Sequence, residues 1–255
     1  MRVPLPEAFL RLPIAHRALH NRAQGRIENS PAAIAAAIDA GYAIEIDVQL
    51  SRDSVAMVFH DETLDRLTAQ TGLVSARTAA ELNEIGLTGG QDCIPTLAQV
   101  LRQIAGRVPV LIEIKDQTGD MSDSDGRLES AVAADLAGYA GPVALMSFNP
   151  HSVAHMARLW PSIARGITTS AYDVDDWAPL PAQTCAHLRE IPDYDRTLSS
   201  FISHEAADLA RPRVAELRAQ GADVLCWTIK SAQAEAAARK CAQNITFEQY
   251  LARLP

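Results

Sequence analysis

The sequence predicts an α/β protein, a single (β/α)8 barrel of the TIM type over residues 1–255 with a small insertion near residues 62–92. Three observations carry this reading. β-Branched apolar runs alternate with capped helical stretches, the pattern of a parallel sheet covered by helices on its faces. The length of 255 residues is one at which α/β barrels fold undivided. His16, Glu45, Asp47, His60, Glu113, Lys115 and Trp227 all fall at or near the carboxyl ends of the predicted strands, the end at which barrels place their chemistry.

A first strand, Pro13–His16, leads into the polar run His16-Arg17-Ala18-Leu19-His20-Asn21-Arg22. Ser30 as N-cap, Pro31 at the first helical position and Gly41 past the end delimit the first helix. The strand Ala43–Leu50 follows, and it alternates: Ile44, Ile46, Val48 and Leu50 share one face, Glu45, Asp47 and Gln49 the other. Side chains two apart on a strand lie about 7 Å from each other on the same side. Two carboxylates held so close repel unless a cation sits between them, and a divalent ion on oxygen ligands removes the conflict. A solvated edge strand is the alternative reading of this stretch taken alone.

After a turn at Ser51-Arg52-Asp53-Ser54, Val55–Phe59 reads as a strand ending in His60-Asp61. Residues 62–92 are polar and weakly periodic and hold Gly72, Gly86, Gly89 and Gly90, which marks the insertion, with a short helix over Ala79–Ile85. Thr96 and Gln99 form a capping box for a helix with the stripe Leu97, Val100, Leu101 and Ile104, stopped by Gly106. Val108–Lys115 is a strand on which Glu113 and Lys115 share a face and can neutralise one another. A loop, Asp116–Gly126, precedes a helix ending near Gly141; then come the strand Val143–Ser147, a helix from Asn149-Pro150 to Trp160, and the strand Ile163–Thr168. Residues 171–196 are expected to be irregular and to form a second lid. The strand Thr197–Ser203, a helix from Arg211-Pro212 to Gly221, the strand Asp223–Ile229, a helix capped by Ser231 and a short strand Asn244–Phe247 complete the chain. Nine strand-like pieces are one more than the barrel needs, so one belongs to the insertion or lies outside.

A formal charge of −8 argues against a polyanion such as DNA as partner, while a small phosphate ester remains compatible because a local cation reverses the field within one pocket. The N-terminal residues lack an apolar core of signal-peptide length, and no run of about 18 apolar residues marks a membrane span. Cys93, Cys185, Cys226 and Cys241 have neither CxxC nor zinc-type spacing, and free thiols in a reducing cytoplasm are expected. His20, His151, His155, His187 and His204 are read as structural.

The ordered set His16-Arg17, Glu28-Asn29, Glu45-Ile46-Asp47-Val48, Val58-Phe59-His60-Asp61, Glu113-Ile114-Lys115, Ser147-Phe148 and Trp227-Thr228 resembles the glycerophosphodiester phosphodiesterases. The match runs from residue 13 to about residue 230, nearly the whole chain. The resemblance implies a barrel that binds Mg²⁺ or Ca²⁺ and cleaves glycerophosphodiesters to glycerol 3-phosphate and an alcohol. It implies that Glu45, Asp47 and Glu113 are metal ligands, that His16 and His60 are the acid/base pair, that Arg17 and Lys115 contact the phosphate, and that Phe148 and Trp227 line the pocket. It also implies that the substrate's own glycerol hydroxyl attacks phosphorus, giving a cyclic phosphate that water opens.

Those residue types suit that chemistry. Carboxylates are hard ligands for Mg²⁺ or Ca²⁺, Arg offers a donor fork and Lys a point charge to phosphate, and imidazoles exchange protons near neutrality. The departures from the family pattern are Ala18 for a glycine, Ile27 for a proline, Ser51-Arg52-Asp53-Ser54 for Thr-Lys-Asp-Gly, Lys230 for an asparagine, and Thr246-Phe247-Glu248 for a Thr-Asp-Arg-Pro-like stretch. Two other readings stand beside this one. A lysophospholipase D-like or cyclising phosphodiesterase would use Leu64, Leu67, Leu73, Leu82, Ile85 and Leu87 as an apolar lip, although these residues equally suit a packed lid. A non-catalytic barrel binding metal and phosphate esters would have no use for the histidine pair.

Overall fold

The computed structural model describes residues 1–255. Nine strands occur in chain order: β1 Ile14–Ala15, β2 Ala43–Leu50, β3 Ala56–Val58, β4 Val110–Ile114, β5 Val143–Ser147, β6 Ala164–Thr169, β7 Phe201–Glu205, β8 Asp223–Ile229 and β9 Asn244–Phe247. The helices are α1 Ala8–Arg11, α2 Pro31–Ala40, α3 Ala79–Asn83, α4 Leu97–Ile104, α5 Arg127–Leu136, α6 Pro150–Leu159, α7 Ala182–Arg189, α8 Pro212–Ala219 and α9 Ala232–Ala238. β1 pairs in parallel with both β2 and β9, so β1, β2, β4, β5, β6, β7, β8 and β9 close into an eight-stranded parallel ring, the (β/α)8 barrel. The surplus strand is β3, which lies antiparallel against the end of β2, outside the ring.

The alternation of β2 is explained by burial on both sides, as parallel sheets require. Ile44, Ile46 and Val48 pack outward under the helices, in the same apolar layer as Ala33, Ile34, Leu97 and Ile104. Ala43 points inward, where it joins Ile14, Leu111, Ala144, Met146, Ala164, Phe201 and Leu225 in the lower part of the barrel. Leu5 and Phe9 plug this interior from below, and Asn244 Nδ2 ties the plug in place by donating to the Phe9 and Leu12 carbonyls. Glu45 and Asp47 continue the inward face of Ala43 upward, so the acid-bearing face is an interior one and the edge-strand reading does not hold.

Gly166 on β6 shows how tightly the interior is filled. A Cβ there would lie 2.5 Å from the Phe201 ring and 2.6 Å from the Phe201 carbonyl oxygen. Gly166→Ala is therefore expected to cost about 1–3 kcal/mol, read as a lower midpoint of thermal or denaturant unfolding.

Several boundaries differ from those expected. The first strand is two residues rather than four, and the helix in the insertion stops at Asn83 instead of Ile85. The strand expected at Thr197–Ser203 is β7, Phe201–Glu205. Buried Arg165 reaches over from β6, donating from Nε to the Thr197 carbonyl, while the Ser200 N–H donates to the Arg165 carbonyl. Residues 197–200 are thereby committed to a loop, which carries His204 and Glu205 up to the mouth. The lid over residues 171–196 is partly regular: α7 buries Cys185 and Leu188 against Tyr172 and Leu180.

The insertion has a small core of its own, in which Leu64, Leu67, Leu82 and Leu87 pack with Ile27, Met57, Phe59 and Ile94. Among its leucines Leu73 is the exposed one, at 49%. The insertion is a packed lid and presents no apolar lip.

Candidate active site

All nine residues singled out by the sequence, His16, Arg17, Glu45, Asp47, His60, Glu113, Lys115, Phe148 and Trp227, line one cavity of about 100 Å³ at the carboxyl ends of the strands. Register explains the acids. Asp47 on β2 stands beside Glu113 on β4 as a direct parallel partner, and aligned residues of parallel neighbours face the same way. Glu45 lies one inward position below Asp47, and carboxylate oxygens of all three come within 4.8 Å of one another. All three are buried.

Such a cluster is electrostatically unfavourable by itself. Burial, with Asp47 and Glu113 adding to it, pushes the Glu45 pKa well above the usual carboxylate range. Asp47 goes the other way: burial alone would raise it, but His60, Lys115, Arg17 and the Asn29 amide together hold its pKa below the usual range. Asn29 Nδ2 donates to Asp47 Oδ2 at 2.9 Å, and the Asp47 N–H donates back to Asn29 Oδ1 at 3.2 Å. Lys115 Nζ lies 2.9 Å from Glu113 Oε1 and 3.6 Å from Asp47 Oδ1, the neutralising arrangement expected of that strand face. Three buried acids with carboxylate oxygens converging on one point and no thiolate among them fit a hard divalent cation.

The loop after β1 turns sharply to serve this cluster. Arg17 and Ala18 both adopt left-handed backbone, φ 52° and 65°, so the departure from glycine at position 18 is accommodated with the conformation a glycine would favour. The turn aims the Arg17 N–H at Glu45 Oε2, 2.8 Å away, and the Ala18 N–H at the Glu45 carbonyl. The Arg17 guanidinium lies 3.7 Å from Asp47 Oδ2 and donates to Glu28 Oε1 at 2.7 Å.

Each histidine is gripped at Nδ1 by a carboxylate. His60 Nδ1 is 2.7 Å from Asp61 Oδ1, and Arg66 from the insertion bridges Asp61 to Glu28 with bonds of 2.7–2.9 Å. A continuous ionic chain thus runs Arg17–Glu28–Arg66–Asp61–His60. His16 Nδ1 is 2.7 Å from Glu248 Oε2, just beyond β9, and Glu248 also meets Lys230 Nζ at 3.1 Å and His20 Nε2 at 3.6 Å. These contacts hold the Glu248 carboxyl far below its ordinary range, the His16 bond first among them. The two late departures from the family pattern, Lys230 and Glu248, are therefore partners of each other. Burial lowers the His16 pKa, and Glu248 opposes that fall.

With Nδ1 engaged, each ring keeps Nε2 for the cavity. Glu248→Gln removes the largest influence raising the His16 pKa, so any limb of a pH–rate profile that His16 sets as a proposed acid/base group is expected to move to lower pH. The rate should fall about tenfold, the worth of one charge-assisted hydrogen bond, read from kcat across pH 5–9.

Sequence reasoning did not find Glu248 or Arg66. Glu248 stands out in the sequence only as a departure from the family pattern, and Arg66 carries no signal beyond its place in the insertion. The five other histidines lie outside the cavity. His204 is buried between Thr169 Oγ1 at 2.8 Å and Asp208 Oδ2 at 3.2 Å, a structural placement. No helix is long and apolar enough to cross a membrane.

Fold and site together define a barrel enzyme of the phosphoric diester hydrolase class. The family model described as the glycerophosphoryl diester phosphodiesterase family matches residues 16–246, and the chain belongs to that family. A glycerophosphodiester phosphodiesterase of Caldanaerobacter subterraneus is 30% identical over 173 residues, covering 65% of this chain and 70% of the relative. A phosphodiesterase of Oleispira antarctica, solved in complex with its product sn-glycerol-3-phosphate, superposes with a TM-score of 0.74 at 26% identity over 94% of both chains. A glycerophosphodiester phosphodiesterase from Thermotoga maritima shares the fold with a TM-score of 0.67 at 20% identity, covering 92% of this chain and 94% of its own.

Proposed function

We propose that the protein hydrolyses glycerophosphodiesters to glycerol 3-phosphate and an alcohol, with Mg²⁺ or Ca²⁺ held by Glu45, Asp47 and Glu113 and with His16 and His60 as the acid/base pair. The observation that carries this reading is the convergence of three acids, two carboxylate-gripped imidazoles, a guanidinium and an ammonium on one small cavity. The cation, when bound, neutralises the phosphodiester charge and the further charge that develops in the transition state. Arg17 and Lys115 bind the phosphate oxygens, Arg17 by its fork and Lys115 by its point charge. Phe148 and Trp227 wall off one side of the pocket, their ring centroids 5.4 Å apart.

In the first step one imidazole Nε2 takes the proton of the glycerol 2-hydroxyl as its oxygen bonds to phosphorus. The bond from phosphorus to the alcohol oxygen breaks, and the second imidazole gives that oxygen a proton. The cyclic phosphate is then opened by water with the two roles exchanged, which restores both protons and releases glycerol 3-phosphate. Asp61 and Glu248 hold each ring in place through its Nδ1. The four cysteines, all unpaired, accord with a cytoplasmic location.

The test is a hydrolysis panel over several glycerophosphodiesters with phosphorus NMR of the products. Glycerol 3-phosphate is expected to form, its formation to stop with EDTA and to return with Mg²⁺ or Ca²⁺. Undiminished turnover after exhaustive chelation sinks the metal-dependent reading.

A further inference from the structure

The site cavity adjoins a larger one of about 630 Å³, with which it shares His60, Glu113, Lys115, Phe148 and Trp227. Three aromatic rings make one corner of this outer space. Phe148 stands 5.4 Å from Trp227 at 85° and 5.1 Å from Trp177 at 58°. Trp177 belongs to the lid over residues 171–196 and is braced from behind by buried Tyr172 at 4.7 Å, so its ring is fixed while staying half-exposed. Glu62, Asp116 and Asp176 line the same cavity, and no basic side chain is paired with any of them. The one basic side chain that lines it besides His60 is Lys115, already bound to Glu113 at 2.9 Å.

Rings meeting at an angle, in a space whose free charges are negative, are suited to a cation that cannot be satisfied by hydrogen bonds. A methylated ammonium has little or no N–H to donate, and the faces of Trp and Phe attract it through their quadrupoles. The unpaired carboxylates add a field of the same sense, which disfavours an anionic group in the same place. An apolar tail would meet the same rings but gain nothing from the carboxylates, of which Glu62 and Asp176 are exposed and Asp116 accepts from Asn149 Nδ2 at 2.8 Å.

We infer that the outer cavity, cornered by Phe148, Trp177 and Trp227, seats the leaving alcohol and selects one that carries a methylated ammonium head group. The inference rests on the hydrolysis proposed above, because the leaving oxygen must lie between the inner and outer cavities. Trp177 and Asp176 are then the specificity residues contributed by the lid.

The test compares kcat/KM for three diesters of glycerol 3-phosphate, made with choline, with 3,3-dimethylbutanol and with glycerol. Dimethylbutanol has the shape of choline with carbon in place of the charged nitrogen. The choline diester is expected to exceed the dimethylbutyl diester about tenfold, the scale of one desolvated cation–π contact. Trp177→Leu and, independently, the exposed change Asp176→Asn are expected to bring that ratio toward one, a readout unaffected by any loss of folded enzyme. Tetramethylammonium should compete with the choline diester in the wild type and much less in Trp177→Leu. Equal values for the choline and dimethylbutyl diesters, or a ratio unmoved by both substitutions, overturn the inference while leaving hydrolysis intact. If none of the three is cleaved with Mg²⁺ or Ca²⁺ present, the hydrolytic reading itself falls.

Discussion

His16→Ala and His60→Ala are each expected to lower kcat by about 10²–10⁴-fold, the worth of a positioned general acid or base, with little change in stability. The stability half of this expectation comes from the partners left behind. Removing the His16 ring leaves Glu248 still paired with Lys230 at 3.1 Å, and removing the His60 ring leaves Asp61 still held by Arg66 at 2.7 Å. Neither substitution strands a buried charge, so the usual penalty for breaking one half of an ionic contact does not arise. Loss of rate with an unchanged unfolding midpoint is therefore the signature of proton transfer. Turnover within a few-fold of wild type for both variants would remove the histidines from the mechanism.

The second expectation runs against intuition: Glu45→Gln should abolish metal-dependent activity and at the same time stabilise the metal-free protein. Glu45 sits at the bottom of the carboxylate cluster, buried, with its pKa driven up by burial and by Asp47 and Glu113. For an acid whose folded pKa is raised, the stability it contributes is present at low pH and is lost as pH rises through the folded pKa. Above the ordinary carboxylate range of pH the side chain is thus a liability in the absence of a cation. A glutamine of the same shape keeps an oxygen to accept the Arg17 N–H, which Glu45 Oε2 now receives at 2.8 Å, and removes the repulsion. The gain should be about 1–2 kcal/mol, seen as a higher midpoint without metal. Added Mg²⁺ or Ca²⁺ should raise the midpoint of the wild type and leave that of Glu45→Gln where it was. A metal-free variant less stable than the metal-free wild type would show that the cluster is not strained.

How much of this was legible in the sequence depended on whether the information was local. The face of β2 was readable because a strand alternates regardless of its surroundings, and Glu113-Ile114-Lys115 repeated the signal one barrel position away. What the alternation could not say was which face is interior, since Ile44 and Ile46 pack just as fully under the helices. The position of β7 was misplaced by four residues because the decision is made by Arg165, a buried side chain of the neighbouring strand. Helix α7 was hidden for a similar reason: prolines and acids dominate its surroundings, and what stabilises it is the burial of Cys185 and Leu188 against the lid. Glu248 lies 232 residues from the histidine it holds. A pairing of that kind exists only once the ring is closed, and no window along the chain contains both members.

That last pairing ties one of the two site histidines to closure of the ring. His16 follows the first stave and Glu248 follows the last, and the two staves are neighbours only because β1 bonds to β9. An arc of seven docked strands, however native each pairing within it, has one imidazole unanchored and the pocket open along a seam. On the proposed roles, a molecule with β9 undocked lacks the Glu248 contact at His16 Nδ1 and is expected to turn over more slowly than the closed barrel.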